Sequence, residues 1–175
     1  ERKTYIVCVG YRKRDWNTLL KAYNESNIDE ELYLIGNPDI KCDNPKVKVL
    51  PFIPISELMT YITNAKFSVI PLDDFNYSFA QLTLLQQMAL GVPILAADVY
   101  AIRDYIKCSN GVISYTPYNV ENLKTKLQEL SKLKENDLQK MGQSSIECTM
   151  TVLSEQQMAQ RFERICRMLC RGKEI

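Results

Sequence analysis

The chain has 175 residues, of which 46% are hydrophobic and 25% are charged, and these proportions are typical of a folded globular protein. The net charge of +1 excludes a general nucleic-acid-binding domain, whose surface would be clearly basic. No apolar run reaches the about 18 residues of a membrane-spanning helix. Since the chain contains no histidine, Ser-His-Asp and Cys-His catalysis are also excluded. Any chemistry must rely on Arg, Lys, carboxylates and backbone dipoles.

The six cysteines form no Cys-x-x-Cys pair, and they are Cys8, Cys42, Cys108, Cys148, Cys166 and Cys170. Without histidine, a zinc site would need four scattered thiolates, so no metal is expected. Cys8 lies in an apolar run and is predicted to be buried. Cys166 and Cys170 share one helix face and are interpreted as packing residues. This pattern favours a reducing, cytoplasmic setting.

Six apolar runs bounded by turn residues predict buried strands over 4–10, 31–36, 47–52, 67–72, 93–98 and 111–115. Between them, helical spacing predicts helices over 15–26, 55–65 and 81–90, the first with Asp15 as its N-cap. In the third helix the apolar stripe predicted to face the sheet is Leu82, Leu85, Ala89 and Leu90.

The end of the chain is helical in pattern, over NVENLKTKLQELSKL, NDLQKMGQSSIECTM and SEQQMAQRFERICRML. Capping-box spacing predicts N-caps at Asn136 and Ser154, each followed three residues later by Gln. The last helix carries an apolar face that either packs back on this domain or reaches another one: Met158, Phe162, Ile165 and Leu169. Its basic end, RICRMLCRGK, is interpreted as solvated, with contact to an anionic membrane as the alternative.

Strands that are continuous apolar runs, each followed by a helix, predict an α/β fold. We expect one domain over 1–175: a doubly wound, Rossmann-like, mostly parallel six-stranded sheet with helices on both faces and a helical C-terminal tail. Ligands of such sheets bind beyond the carboxyl ends of the strands, where strand order reverses. The candidate segments are therefore the loops at 10–14, 36–37, 52–54 and 72–81.

Two of these segments carry residues suited to an anion. The run GYRKRDW, 10–16, places three cations between a strand and a helix, and it is either a phosphate contact or an exposed basic loop. The helix beginning near Gln81 offers unpaired N–H groups and the positive end of its dipole. One of Gln86 and Gln87 is expected to face the cleft, unless both are solvated. Neither GxGxxG nor GxxxxGK[ST] is present.

The segment LLQQMALGVPILAAD, 84–98, resembles the LLEAMALGxPVIAxD block in the C-terminal, donor-binding domain of retaining GT-B glycosyltransferases of the group 1 type. The likeness continues in order through YIVCVG, DWNTLLKAY, ELYLIG, the segment 44–71 and NGVISYTPYNVENLKTKL, and so covers essentially the entire chain. It implies an enzyme that transfers a sugar from a nucleoside-diphosphate sugar to an acceptor, in polysaccharide or glycoconjugate synthesis, without a metal or other cofactor.

The resemblance also implies a set of site residues. Arg14 falls at the family's lysine and Arg12 near its arginine, and both would have the catalytic role of stabilising the leaving diphosphate. The donor-binding residues implied are Gly10, Asn37, Ile53, Pro54, Ser78, Phe79, Ala80, Gln81, Leu82, Thr83 and Gln86. The base would lie against 52–54, the diphosphate at the Gln81–Thr83 turn, and the ribose on Gln86.

This sequence departs from the family at three of those positions. Ser78 and Gln86 replace two glutamates, and Ala80 replaces a glycine. A non-catalytic binding or scaffolding relative is therefore the alternative hypothesis, and a Rossmann-like domain for another nucleotide, such as an epimerase, is a third. The family also needs an N-terminal acceptor-binding domain, so this domain alone is expected to be inactive and to be part of a longer, cytoplasmic protein, peripheral to the membrane at most.

Overall fold

Strands and helices alternate through residues 4–36, 40–75 and 77–171, which this computed structural model describes. The strands are β1 Tyr5–Val9, β2 Glu31–Ile35, β3 Val47–Leu50, β4 Phe67–Ile70, β5 Ile94–Ala97 and β6 Val112–Tyr115. The helices are α1 Trp16–Ser26, α2 Ile55–Asn64, α3 Gln81–Ala89, α4 Arg103–Ile106, α5 Val120–Ser131, α6 Glu135–Thr151 and α7 Glu155–Arg171. All six predicted strands are confirmed, each slightly shorter than its apolar run.

The six strands form one sheet in the order β3-β2-β1-β4-β5-β6, and every neighbouring pair is parallel. Helices cover both faces, because α1 packs against α5, α3 packs against α6, and every residue of the central strands β4 and β5 is buried. The predicted doubly wound, Rossmann-like fold is confirmed. Strand order reverses between β1 and β4, so the loops that follow these two strands lie side by side.

The helix α1 has a cap at each end, and the one at its N-terminus was predicted. The Asp15 carboxylate accepts a hydrogen bond from the Thr18 backbone N–H at 3.0 Å, which confirms it as the N-cap. The helix ends at Asn27, whose backbone is left-handed with φ of 50°.

The predicted stripe of α3 is correct only in part, because Leu85 and Leu90 pack partly buried against the core but Ala89 is exposed. The buried face is Leu84, Gln87 and Met88, whereas Leu82 is 70% exposed. Leucines at 82, 84 and 85 give this helix two possible apolar stripes, and periodicity alone does not choose between them. On the buried face the polar Gln87 has a partner in the sheet, since its Oε1 accepts a hydrogen bond from the Ser68 hydroxyl of β4 at 2.5 Å.

Of the two predicted N-caps, one is present. Ser154 accepts a hydrogen bond from the Gln157 backbone N–H at 3.3 Å. The prediction at Asn136 is wrong because α6 already begins at Glu135, with Lys134 as an N-cap residue that makes no side-chain hydrogen bond. Gln139 instead donates its Nε2 to the Glu135 carboxylate at 3.1 Å.

A disulfide joins Cys108, just after α4, to Cys148 in α6. Neither this bond nor the short helix α4 is predicted by the sequence, because cysteine spacing does not define a pairing and a single turn has no periodicity to detect. Cys8 is buried, as predicted. The packing interpretation is wrong for Cys170, which is exposed, while Cys166 is half-buried.

The final helix does not pack back on the described part of the domain. An apolar face of α7 lies in solvent, each residue more than half exposed, and consists of Met158, Phe162, Ile165, Met168 and Leu169. No helix in the described ranges is both long and apolar enough to cross a membrane.

Candidate functional site

The candidate site lies at the carboxyl edge of the sheet, where the loop 10–15 after β1 meets the loop 71–80 after β4. Backbone hydrogen bonds join the two loops: the Asp15 N–H donates to the Pro71 carbonyl at 2.9 Å, and the Asp73 N–H to the Lys13 carbonyl at 3.3 Å. Arg14 and Leu72 form an antiparallel bridge between them. The two loops therefore form one connected rim in front of α3.

Arg14 lies beneath this rim and is only 7% exposed. Its Nε and Nη2 donate to the Val9 carbonyl at 3.3 and 3.1 Å, and its Nη1 donates to the Arg12 carbonyl at 3.1 Å. Burial lowers the pKa of the guanidinium below its ordinary value, while the nearby Cys8 and Asp73 act in the opposite direction.

Gly10 makes room for that guanidinium. Its φ of 109° is in the left-handed region, and a Cβ built on it would lie 2.6 Å from Arg14 Nη2. Its N–H donates to the Ile35 carbonyl at 3.0 Å. Gly10, which was predicted to contact the nucleotide-sugar donor, thus has a packing role in the structure.

Arg12 is exposed, and its Cζ lies 5.2 Å from the centre of the Tyr11 ring. Tyr11 makes an edge-to-face contact with Phe52 at 5.0 Å, beyond the end of β3. Next to Phe52 are the predicted base contacts Ile53, which is half-buried, and Pro54, which is exposed at the start of α2. Asn37 lies outside the described residues.

The N-terminus of α3 opens onto the same edge of the sheet. Its N-cap residue is Ala80, with φ of 66°, and no side chain caps the helix in the described part of the chain. Ser78 is exposed and Phe79 half-buried immediately before it. The first N–H groups of α3 and its positive dipole end therefore lie at the rim.

The remaining predicted residues of α3 differ in what they contact. Gln81 donates its Nε2 to the Ala101 carbonyl at 2.8 Å, which ties α3 to the loop after β5. Thr83 is half-buried, and Leu82 and Gln86 are exposed. Since Gln87 points into the core, Gln86 is the glutamine of this pair that is left on the surface.

Two side chains that the sequence did not single out also shape the site. Lys13 has φ of 54° and places its Nζ 5.7 Å from the centre of the Phe75 ring. The Asp74 backbone N–H donates to the Tyr118 hydroxyl at 2.7 Å, which anchors the loop after β4. Lys13 belongs to the basic run 10–16, whereas Tyr118 is 44 residues from Asp74 and is not marked by any local sequence pattern.

Together these features define a Rossmann-like domain with a basic loop and an uncapped helix N-terminus at the point where strand order reverses, an arrangement suited to an anion. The chain belongs to the glycosyl transferases group 1 family, whose model matches residues 3–132. The family is one of transferases, in agreement with the resemblance found in the sequence.

Solved structures with the same fold have low sequence identity to this chain. Sucrose-phosphate synthase from Thermosynechococcus elongatus is 17% identical, with a TM-score of 0.76 over 98% of this chain and 46% of its own. A glycosyltransferase from Rickettsia africae is 13% identical, with a TM-score of 0.75 over 100% of this chain and 50% of its own. The chain thus spans about half the length of these two proteins.

A third structure is closer in length. The catalytic domain of cholesterol-alpha-glucosyltransferase from Helicobacter pylori is 17% identical, with a TM-score of 0.65 over 85% of this chain and 98% of its own. No curated protein matches the sequence.

Proposed function

We propose that this chain is the donor-binding domain of a retaining GT-B glycosyltransferase. It would bind a nucleoside-diphosphate sugar, and the complete enzyme would transfer that sugar to an acceptor in polysaccharide or glycoconjugate synthesis. The family membership supports sugar transfer. The observation that carries the donor site is the uncapped N-terminus of α3 beside the basic loop after β1.

The chemistry follows from where charge develops. When the bond from the sugar C1 to the β-phosphate oxygen breaks, its electron pair stays on the phosphate, and fixed positive charge stabilises that oxygen. Arg12 and Arg14 give the β1–α1 loop this charge, and the N–H groups of the Gln81–Thr83 turn would hold the diphosphate. Gln86 is exposed one turn further along α3, where it would hydrogen-bond the ribose. No metal is needed in this scheme.

The acceptor site belongs, in this proposal, to a second domain in N-terminal position. The chain spans about half the length of two neighbours of the same fold, which supports this division. Closure of two domains assembles the site and excludes water, so this domain alone would bind the donor and transfer nothing.

Ser78 and Gln86 favour one alternative, a nucleotide-binding relative that does not catalyse transfer. Both stand where the family has glutamates, and a neutral amide or hydroxyl hydrogen-bonds a sugar hydroxyl less strongly than a carboxylate does. The acidic residues nearby are Asp73, which is half-buried, and Asp74, which is exposed. The non-catalytic alternative is favoured if neither carboxylate contacts the bound sugar.

The test is a thermal-shift titration with UDP, GDP and their common sugar conjugates, without added metal. We expect one nucleotide to raise the Tm, because a ligand at about 100 times its Kd stabilises the folded state by about 2.7 kcal/mol. In Thr83→Asp the new carboxylate favours the helix dipole but repels the diphosphate, so the fold should persist while the shift disappears.

Thr125→Asp is the matched control, since Thr125 is exposed on α5 and its variant should keep the ligand-induced shift. If no nucleotide raises the Tm of the unaltered chain even at millimolar concentration, the donor-binding proposal is wrong for this domain.

A further inference from the structure

The three cations of the β1–α1 loop point in three different directions. Arg12 lies over Tyr11, on the side of Phe52 and β3. The guanidinium of Arg14 is buried beneath the loop on backbone carbonyls. Lys13 is exposed and leans toward the loop that leads into α3.

Aromatic contacts connect Lys13 to the helix start. Its ammonium is 5.7 Å from the centre of the Phe75 ring, and Phe75 meets Phe79 edge to face at 5.7 Å. Phe79 directly precedes Ala80, the N-cap residue of α3. Lys13 is therefore the exposed cation of this loop that lies toward the segment leading into α3, whereas Arg12 lies toward Tyr11 and Arg14 is buried.

We infer that Lys13 makes the direct contact with the β-phosphate of the nucleotide, and that Arg14 is a positioning residue which holds the loop from below. This inference rests on the proposed donor-binding function. It assigns to Lys13 the contact that the family resemblance assigns to Arg14.

The environment of Lys13 leaves its charge available. Among the residues that the structure describes, no carboxylate is paired with it, and its partner is the face of Phe75. At an exposed site a cation–π contact is weaker than a charge-assisted hydrogen bond to phosphate, so an arriving diphosphate would draw the ammonium from the ring. The positive φ of Lys13 is rare for a residue other than glycine, and such strain concentrates at functional sites.

Arg14 is suited to the positioning role. Its three hydrogen bonds to the Val9 and Arg12 carbonyls link the residue after Lys13 to the end of β1 and to the residue before Lys13. A lysine at position 14 cannot form this planar set of bonds. We therefore expect Arg14→Lys to lower the Tm of the ligand-free chain, whereas changes at Lys13 should not.

The experiment is a calorimetric titration of this chain with UDP and GDP, and with uridine and guanosine, which lack the phosphates. Lys13→Asn removes the charge while keeping a residue that accepts positive φ. We expect it to weaken binding of the diphosphate that the unaltered chain binds by about tenfold or more, and to leave nucleoside binding unchanged. Lys13→Arg should restore most of the affinity, and Lys21→Ala, at an exposed position of α1, should match the unaltered chain.

The outcomes separate the two hypotheses. If the unaltered chain binds neither diphosphate, the proposed function fails and this inference fails with it. If a diphosphate binds and Lys13→Asn has the same affinity for it, the inference alone is overturned and the contact returns to Arg12 or Arg14.

Discussion

Ala80 stores backbone strain at the start of α3. With φ of 66° and ψ of 1° it is in the left-handed region, which costs an L-residue with a Cβ about 1–2 kcal/mol. A glycine would enter this region without that penalty. The methyl group of Ala80 also lies at the N-terminus where the diphosphate is proposed to bind.

Ala80→Gly should therefore stabilise the chain, by about 0.5–1 kcal/mol after the greater flexibility of glycine in the unfolded state is subtracted. Urea unfolding followed by circular dichroism measures this difference. Ala89→Gly is the control within the same helix, and it should destabilise by about 1 kcal/mol because Ala89 has ordinary helical geometry. Equal losses in the two variants would show that position 80 is not strained.

Individual side-chain contacts were the least predictable part of the site. The basic run 10–16 was visible in the sequence, but the burial of Arg14 depends on the missing Cβ of Gly10 and on the Val9 carbonyl. Gln87 likewise reads as a solvated helix residue until Ser68 of β4 is known to face it. Both arrangements depend on residues brought together by the sheet, and local patterns carry no information about them.

At the level of elements, an ion pair at the opposite, amino edge of the sheet joins three of them. Glu30 precedes β2 and is buried, and its carboxylate accepts hydrogen bonds from Lys66, just before β4, at 2.5 Å and from Ser131, at the end of α5, at 2.7 Å. Burial acts to raise the pKa of Glu30, but the hydrogen bonds from Lys66 and Ser131 outweigh it, so the pKa lies below its ordinary value.

The sign of the pH effect follows. A carboxyl with a depressed folded-state pKa stabilises the fold above its ordinary value of 4.5, and this contribution is lost as pH falls through the folded-state value. Glu30→Gln should lose about 1–3 kcal/mol at neutral pH and show a flatter decline of stability below pH 4.5. Urea unfolding across this pH range measures both effects.

Glu129→Gln is the control for that experiment. Glu129 pairs with Lys126 on the exposed side of α5, and such surface pairs contribute about 0–1 kcal/mol. If Glu129→Gln changes the free energy of unfolding below pH 4.5 as much as Glu30→Gln does, the contact of Glu30 with Lys66 and Ser131 does not determine the acid stability.

Elements themselves were largely predictable. The strands are continuous runs of buried apolar residues, and such runs carry a strong local signal. The errors fall where two patterns compete, as in α3, or where an element is one turn long, as in α4. The cap of α6 was misplaced because Asn136 offered a favourable motif at the second residue of a helix that begins without a side-chain cap.

At the level of the whole molecule, the described part of the domain leaves the apolar face of α7 uncovered. Its five residues are 52–69% exposed, and a contiguous apolar patch of this kind promotes association. The fold predicted from the alternation of strands and helices was correct, yet that alternation says nothing about what this last helix contacts.

We expect the isolated chain to self-associate as its concentration rises, because pairing of these faces removes apolar surface from water. The double variant Phe162→Glu and Leu169→Glu should remain monomeric, as measured by sedimentation velocity. Gln160→Glu, on the opposite side of α7, serves as the control and should associate like the unaltered chain. The prediction would be contradicted if the unaltered chain stayed monomeric at all concentrations.

The bond between Cys108 and Cys148 closes a covalent ring that contains β6, α5 and the first part of α6. A protease that cuts once within this ring, for example at the turn between α5 and α6, opens the ring without releasing either fragment. The two pieces stay tethered, and the strand and helices they carry remain close enough to reassemble. A cut near the edge strand β6 would therefore release no fragment until the disulfide between Cys108 and Cys148 was reduced.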